Sequence, residues 1–197
     1  MSNIPGIMSY LDLPLLACKA ANKDSTNNQI HDALMAMKSV ILPSRSTEDT
    51  QHIASTIATE LRPGDVVLLK GDLGAGKTHF VSSLAKAMGA TNSITSPTFT
   101  IAHFYKTPAF PLVHIDAYRL SGPTEYRDLG LEEYTATSIT LVEWGEIVEG
   151  EFSSPLSIAF SFVADQPTGR LLTISSLDER WTPLLTRLSD TMKVPLI

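Results

Sequence analysis

The chain has 197 residues, enough for one α/β domain with a core and too few for two ordinary ones. Apolar residues make up 43% and charged ones 18%, which excludes disorder throughout, and no apolar run approaches the ~18 residues of a membrane-spanning helix. A formal net charge of −6 removes the bulk attraction to nucleic acid that a basic protein has. The single cysteine, Cys18, excludes an internal disulfide, argues against a Cys-based metal cluster and suits a reducing cytosol.

Residues 1–43 read as an N-terminal extension with a polar, turn-prone stretch at Asn22–Asn28. They lack the basic start and apolar run of a signal peptide. Arginine is absent before Arg45, which argues against an organelle-import peptide, so the expected location is cytoplasmic. Ile30, Leu34 and Met37 predict a short helix. The ordered domain is expected over 44–197. Ser46, with Asp49 three residues on, is a capping-box variant, and Ile53, Ile57 and Leu61 then form one helical face that Pro63-Gly64 should end. Val66-Val67-Leu68-Leu69 predicts a strand buried on both faces. A glycine-rich loop follows at once. Beyond it, Phe80, Val81, Leu84, Ala85 and Met88 share a helical face, with Gly89 as its terminator. Further strands are expected over Phe99–Tyr105, Leu112–Asp116, Ile139–Trp144, Leu156–Val163 and Leu171–Ser175. The pair around Thr107-Pro108 is close enough for an antiparallel hairpin. A short helical stretch interrupted at Gly130 is expected over Glu125–Tyr134. A terminal helix should run from Glu179 to Met192, with Leu184, Leu185 and Leu188 facing inward.

The loop Gly71-Asp72-Leu73-Gly74-Ala75-Gly76-Lys77-Thr78 matches G-x-x-x-x-G-K-[S/T] fully, between a predicted strand and a predicted helix. Glycines let the backbone curl so that successive N–H groups converge on phosphate oxygens, and the following helix adds its N-terminal dipole. Lys77 supplies a mobile cation for the outer phosphates. Thr78 supplies a hydroxyl for magnesium, which takes oxygen ligands. A nucleoside triphosphate with magnesium is therefore the expected ligand.

Two apolar strands end in carboxylates, Leu112–Asp116 and Ile139–Glu143. Either Asp116 or Glu143 could hold the magnesium shell or orient water. Thr98, in Ser96-Pro97-Thr98-Phe99, is either a γ-phosphate sensor or part of an ordinary turn before a strand. Arg119 could steady a phosphate or pair with an acidic neighbour, and Trp144 could be core or pack near the site. His79 and His114 have no metal-ligand spacing and read as structural.

The loop, Ser96-Pro97-Thr98-Phe99, His114-Ile115-Asp116-Ala117-Tyr118-Arg119-Leu120 and Leu141-Val142-Glu143-Trp144 occur in an order that resembles the TsaE (YjeE) family. These are the small P-loop ATPases of bacterial tRNA threonylcarbamoyladenosine synthesis. The resemblance spans roughly Leu42 to Ser176 and includes Pro123-Thr124-Glu125 with Leu129-Gly130-Leu131. It implies an α/β P-loop NTPase fold with a central mixed sheet flanked by helices. It also implies Mg-dependent ATP hydrolysis of low intrinsic turnover that sustains the partner proteins TsaD and TsaB, with tRNA reached through that complex and no membrane. It places the nucleotide loop at Asp72, Leu73, Gly74, Ala75, Gly76, Lys77 and Thr78. Glu143 is implied as a magnesium ligand with Thr78, Asp116 as a catalytic or water-positioning group, and Thr98 as a switch-like threonine. Thr50 matches a threonine near the base, and Arg170 a late arginine on nucleotide. Where the family repeats threonine after Gly-Lys-Thr, this chain has His79, and its N-terminal extension is longer than usual for the family.

Two other functions use the same loop. A small-molecule kinase would add an arginine-rich lid, which is not visible in the sequence; a non-hydrolysing nucleotide-dependent binding module would be excluded if changing Glu143 or Asp116 abolished hydrolysis while binding persisted. GTP is disfavoured, because the single Asn-Lys pair, Asn22-Lys23, precedes the loop and lacks an Asp at the right spacing.

Overall fold

A computed structural model describes residues 38–196. The helix expected around Ile30–Met37 and the rest of the extension before Lys38 lie outside the described residues. The elements run β1 (Lys38–Ser44), α1 (Thr47–Ala58), β2 (Val66–Lys70), α2 (Lys77–Ala87), β3 (Ala102–Tyr105), β4 (Leu112–Asp116), α3 (Pro123–Asp128), α4 (Glu132–Thr135), β5 (Ile139–Glu143), β6 (Leu156–Val163), β7 (Gln166–Ser176) and α5 (Thr182–Met192). Single 3-10 turns follow β4 at Ala117–Arg119 and β5 at Gly145–Ile147, and another precedes α5 at Glu179–Trp181.

One seven-stranded mixed sheet has the order β1-β7-β6-β2-β5-β4-β3. Its centre is parallel: β2 lies between β6 and β5, and β5 pairs with β4. Antiparallel partners finish both ends, β3 on β4 and the β6–β7–β1 meander. The C-terminal ends of β2, β4 and β5 therefore open on the same edge, where open α/β sheets bind ligands.

Alternation along the strands divides the core in two. Val67, Leu69, Leu112, Leu141 and Ile158 join one cluster with α1, α2 and α5, whose Ile53, Phe80, Leu84 and Leu185 are buried in it. Val66, Leu68, Val113, Ile115 and Val142 join the other, closed by Tyr126 and Val148. Each fully buried Leu, Val or Phe contributes roughly 1.5–3 kcal/mol. α1 is capped as its sequence suggests. The Ser46 hydroxyl accepts from Asp49 N at 3.2 Å, and the Asp49 carboxylate accepts from Arg45 N at 2.8 Å.

Several boundaries differ from the sequence reading. Residues 38–43, assigned to the extension, form β1, which pairs with β7 over its whole length. β1 is an edge strand, where Pro43 is tolerated, and only Val40 and Leu42 carry its apolar alternation. The α1 helix ends at Ala58, before Pro63-Gly64. Regular strand begins at Ala102 rather than Phe99, because Ile101 adopts a left-handed backbone, φ 67°. The last hairpin strand is longer than expected, Gln166–Ser176. As expected, Leu184, Leu185 and Leu188 are buried, and β3–β4 is an antiparallel hairpin.

Candidate functional site

β2 delivers the loop to the open edge of the sheet. Gly71 has φ 126°, and an added Cβ would meet the Phe160 carbonyl oxygen at 2.5 Å, so this turn needs glycine. Gly74 and Gly76 also take left-handed conformations, and α2 begins at Lys77. Lys77, Thr78 and His79 thus occupy the first turn of a helix, whose N–H groups have no intrahelical acceptors. Their convergence makes an anion site.

Lys77 is buried to 4% exposure. Its ammonium donates to the carbonyls of Gly71 (2.5 Å) and Asp72 (2.9 Å) and lies 3.9 Å from the Trp144 ring centroid. Burial pushes its pKa below the ordinary lysine value, opposed by the charges of Glu143, Glu146, Asp116 and Asp72. A phosphate entering the loop would give this cation a stronger partner than two carbonyls.

Asp116 and Glu143 are register partners at the ends of β4 and β5. The Thr78 hydroxyl donates to Glu143 Oε2 at 2.8 Å. The other oxygen, Oε1, lies 2.9 Å from His114 Nε2. Asp116 faces the opposite wall. Its Oδ2 accepts from the hydroxyls of Thr98 (2.5 Å) and Ser96 (3.0 Å), and its Oδ1 from Tyr118 N at 3.0 Å. Between these groups is a cleft of about 430 Å³ lined by Leu73 to Thr78, His79, Ser96, Thr98, Asp116, Tyr118, Glu143 and Trp144. Trp144 adopts φ 58° and packs its ring 5.1 Å from Tyr118, centroid to centroid.

The structure thus brings together Leu73, Gly74, Ala75, Gly76, Lys77, Thr78, Thr98, Asp116 and Glu143. Asp72 contributes its carbonyl to Lys77 but does not line the cleft. Thr50 is buried in α1, its hydroxyl 2.6 Å from that of Ser44 and outside the cleft lining. Arg170 reaches the carbonyl side of the loop, donating to Ala75 O at 3.1 Å and Gly74 O at 3.4 Å, with Phe162 beneath its guanidinium. It braces the loop from behind. Arg119 stacks over Phe99, 4.9 Å from the ring centroid. Sequence reasoning passed over His114 as structural and left Trp144 open. The signal for His114 was its period-2 position, two residues before Asp116 and so on the same face of β4.

The chemistry of the donors suits magnesium. A threonine hydroxyl and one carboxylate stand beside a phosphate cradle. Among the described residues no cluster of three or more His, Cys, Asp or Glu forms a protein cage. Magnesium is held in nucleotide sites by one or two such groups, with phosphates and water completing its shell.

The family model described as "Threonylcarbamoyl adenosine biosynthesis protein TsaE" matches residues 44–171. The chain belongs to the TsaE family. It is 46% identical over 112 residues to the tRNA threonylcarbamoyladenosine biosynthesis protein TsaE of Rickettsia bellii, covering 56% of this chain and 78% of that one. It is 39% identical over 144 residues to the TsaE of Bacillus subtilis, covering 72% and 89%. The crystal structure of Bacillus subtilis YdiB superposes with a TM-score of 0.66 at 33% identity, covering 79% of this chain and 97% of that chain. The TsaE relationship gives the chain a role in tRNA threonylcarbamoyladenosine biosynthesis, and the P-loop NTPase fold implies nucleotide binding. Among the described residues no helix is long and apolar enough to cross a membrane.

Proposed function

We propose that this chain is a Mg-dependent ATPase of low intrinsic turnover that acts on the TsaD–TsaB complex to sustain threonylcarbamoyladenosine modification of tRNA in the cytoplasm. The observation that carries the reading is the pairing of Thr78 with Glu143 at the loop, opposite an Asp116 held by Thr98. A phosphate cradle alone would serve binding; two differently held carboxylates at its mouth suit hydrolysis. The ATPase domain is taken as beginning at Lys38, with the extension before it.

In this reading the N–H groups of Gly74 to Thr78 hold the phosphates, and Lys77 leaves the Gly71 and Asp72 carbonyls to neutralise the outer ones. Thr78 and Glu143 hold magnesium, which when bound offsets the phosphate charge that develops during transfer. Asp116 orients water toward the terminal phosphate and accepts its proton. Thr98 follows the terminal phosphate, so its loop takes different positions before and after hydrolysis. Arg170 fixes the loop's carbonyl side, and Thr50, which lies outside the phosphate cleft, is assigned to the neighbourhood of the base. The net charge of −6 suits contact with tRNA through the partner complex rather than directly.

Reconstitution tests this. The full chain and ATP are added to TsaD, TsaB, tRNA and a threonylcarbamoyl donor, and modified tRNA is counted per TsaD. Multiple turnovers that require this chain and hydrolysable ATP are expected. Equal product with and without the chain would overturn the proposal.

A further inference from the structure

His114 has a position that packing alone does not explain. It is fully buried at the centre of β4, where its neighbours on the same strand, Leu112 and Val113, are apolar. Among the described residues its Nδ1 has no hydrogen-bond partner. A leucine would fill such a place without the cost of burying a bare polar atom. Among the described residues its one side-chain hydrogen bond is from Nε2 to Glu143 Oε1, 2.9 Å away and across two adjacent strands. The tautomer with its proton on Nε2 donates to the carboxylate, whereas the other would set a lone pair against it.

Glu143 needs this contact for a geometric reason. The last torsion of a glutamate is broad, so one hydrogen bond does not fix the plane of its carboxylate. Thr78 holds Oε2 from α2, and His114 holds Oε1 from β4. Two partners on different elements, both in the regular scaffold, lock the plane. With Oε1 occupied, Oε2 is the oxygen turned toward Thr78 and the cleft.

We propose that His114 is a positioning residue. Its Nε2–H fixes the carboxylate plane of Glu143, so that Oε2 and the Thr78 hydroxyl form a prebuilt pair of oxygen ligands for magnesium. The inference rests on the nucleotide reading above and deepens it. Partners of this kind behind a metal-binding carboxylate are worth about 10–100-fold in metal affinity.

The test is binding of a fluorescent ATP analogue to the full chain at graded free magnesium, with nucleotide affinity also measured in chelator. In H114L the half-point for magnesium should rise about 10–100-fold, with metal-free nucleotide affinity unchanged. In H114Q the amide nitrogen can replace Nε2, and the half-point should return close to that of the unaltered chain. If H114L does not fold, H114N takes its place, since its shorter amide cannot reach Glu143 and the same rise is expected. A purely structural role predicts a lower melting temperature with an unmoved half-point. Such a result in H114L or H114N, or equal shifts in H114Q and H114L, would overturn the inference alone. Absence of any magnesium dependence in the unaltered chain would sink the nucleotide reading and this inference together.

Discussion

The two carboxylates at the cleft come from neighbouring strands in register, yet they are held by different kinds of structure. Glu143 ends β5, inside the sheet, and both its oxygens are taken by residues of regular elements, Thr78 of α2 and His114 of β4. Asp116 ends β4, one strand from the edge. Its Oδ2 is taken by Thr98 and Ser96, which lie between α2 and β3 in a stretch without helix or strand, and most of that stretch is exposed. One acid is therefore built into the scaffold, and the other depends on where a loop sits. A loop with few buried apolar contacts is the part of a site that moves at low cost. In the proposed cycle Glu143 is the fixed point and Asp116 the group whose surroundings change with the nucleotide.

The sharpest way to break this contrast is to neutralise each acid in turn. Asp116→Asn keeps the shape and removes the base. Single-turnover ATP hydrolysis should fall about 10²–10⁴-fold, while magnesium-dependent nucleotide affinity stays close to that of the unaltered chain. Glu143→Gln should show the reverse emphasis, with the magnesium half-point rising by more than the about 10–100-fold expected for loss of its His114 partner, before any separate loss in the chemical step. Identical profiles for the two variants would mean that the acids act as one unit and that the contrast is empty.

The contrast also explains what could be read in advance. The glycine loop, the buried strand before it and the helix after it are local patterns, and so is a carboxylate at the end of an apolar run. All were legible. The division of roles was not, because it depends on contacts between elements distant in sequence, His114 with Glu143 and Thr98 with Asp116. β1 escaped for a related reason. Seven residues with two apolar core positions and a proline do not announce a strand, and its evidence is the β7 partner more than a hundred residues away. Left-handed backbone at Ile101 and Trp144 is also invisible in sequence, since neither residue type favours it.

The Glu143 side can be disturbed without touching its charges. Gly145 lies against Leu68 of β2, and an added Cβ would meet the Leu68 Cβ at 2.7 Å. Both atoms sit close to backbone in the core, where little can give. Gly145→Ala should destabilise the fold by about 1–3 kcal/mol in urea unfolding. It should also push Trp144 away from Lys77, which intrinsic tryptophan fluorescence would report. An unchanged urea-unfolding curve would mean that the β2–β5 side is softer than the contrast requires.

The smallest effect concerns the place where the two sides are joined. Tyr126 of α3, on the segment following Asp116, is 1% exposed and packs edge-on to Phe152, on the segment following Glu143, with ring centroids 5.5 Å apart. Burial pushes its phenol up to about 12, with the charges of Glu132 and Glu151 adding to the shift. The unfolded chain's tyrosine ionises near its ordinary 10, so the folded state holds this proton longer. Tyr126 therefore contributes stability that is fully present below about pH 10 and is lost as pH rises through 10 toward 12. Absorbance at 295 nm should show one late-ionising tyrosine in the folded protein, and that step should vanish in Tyr126→Phe. The substitution should also flatten the fall in stability between pH 10 and 12. If instead the fall is unchanged and the late step persists, Tyr126 is reached by solvent, and the joint between the two sides is looser than its packing indicates.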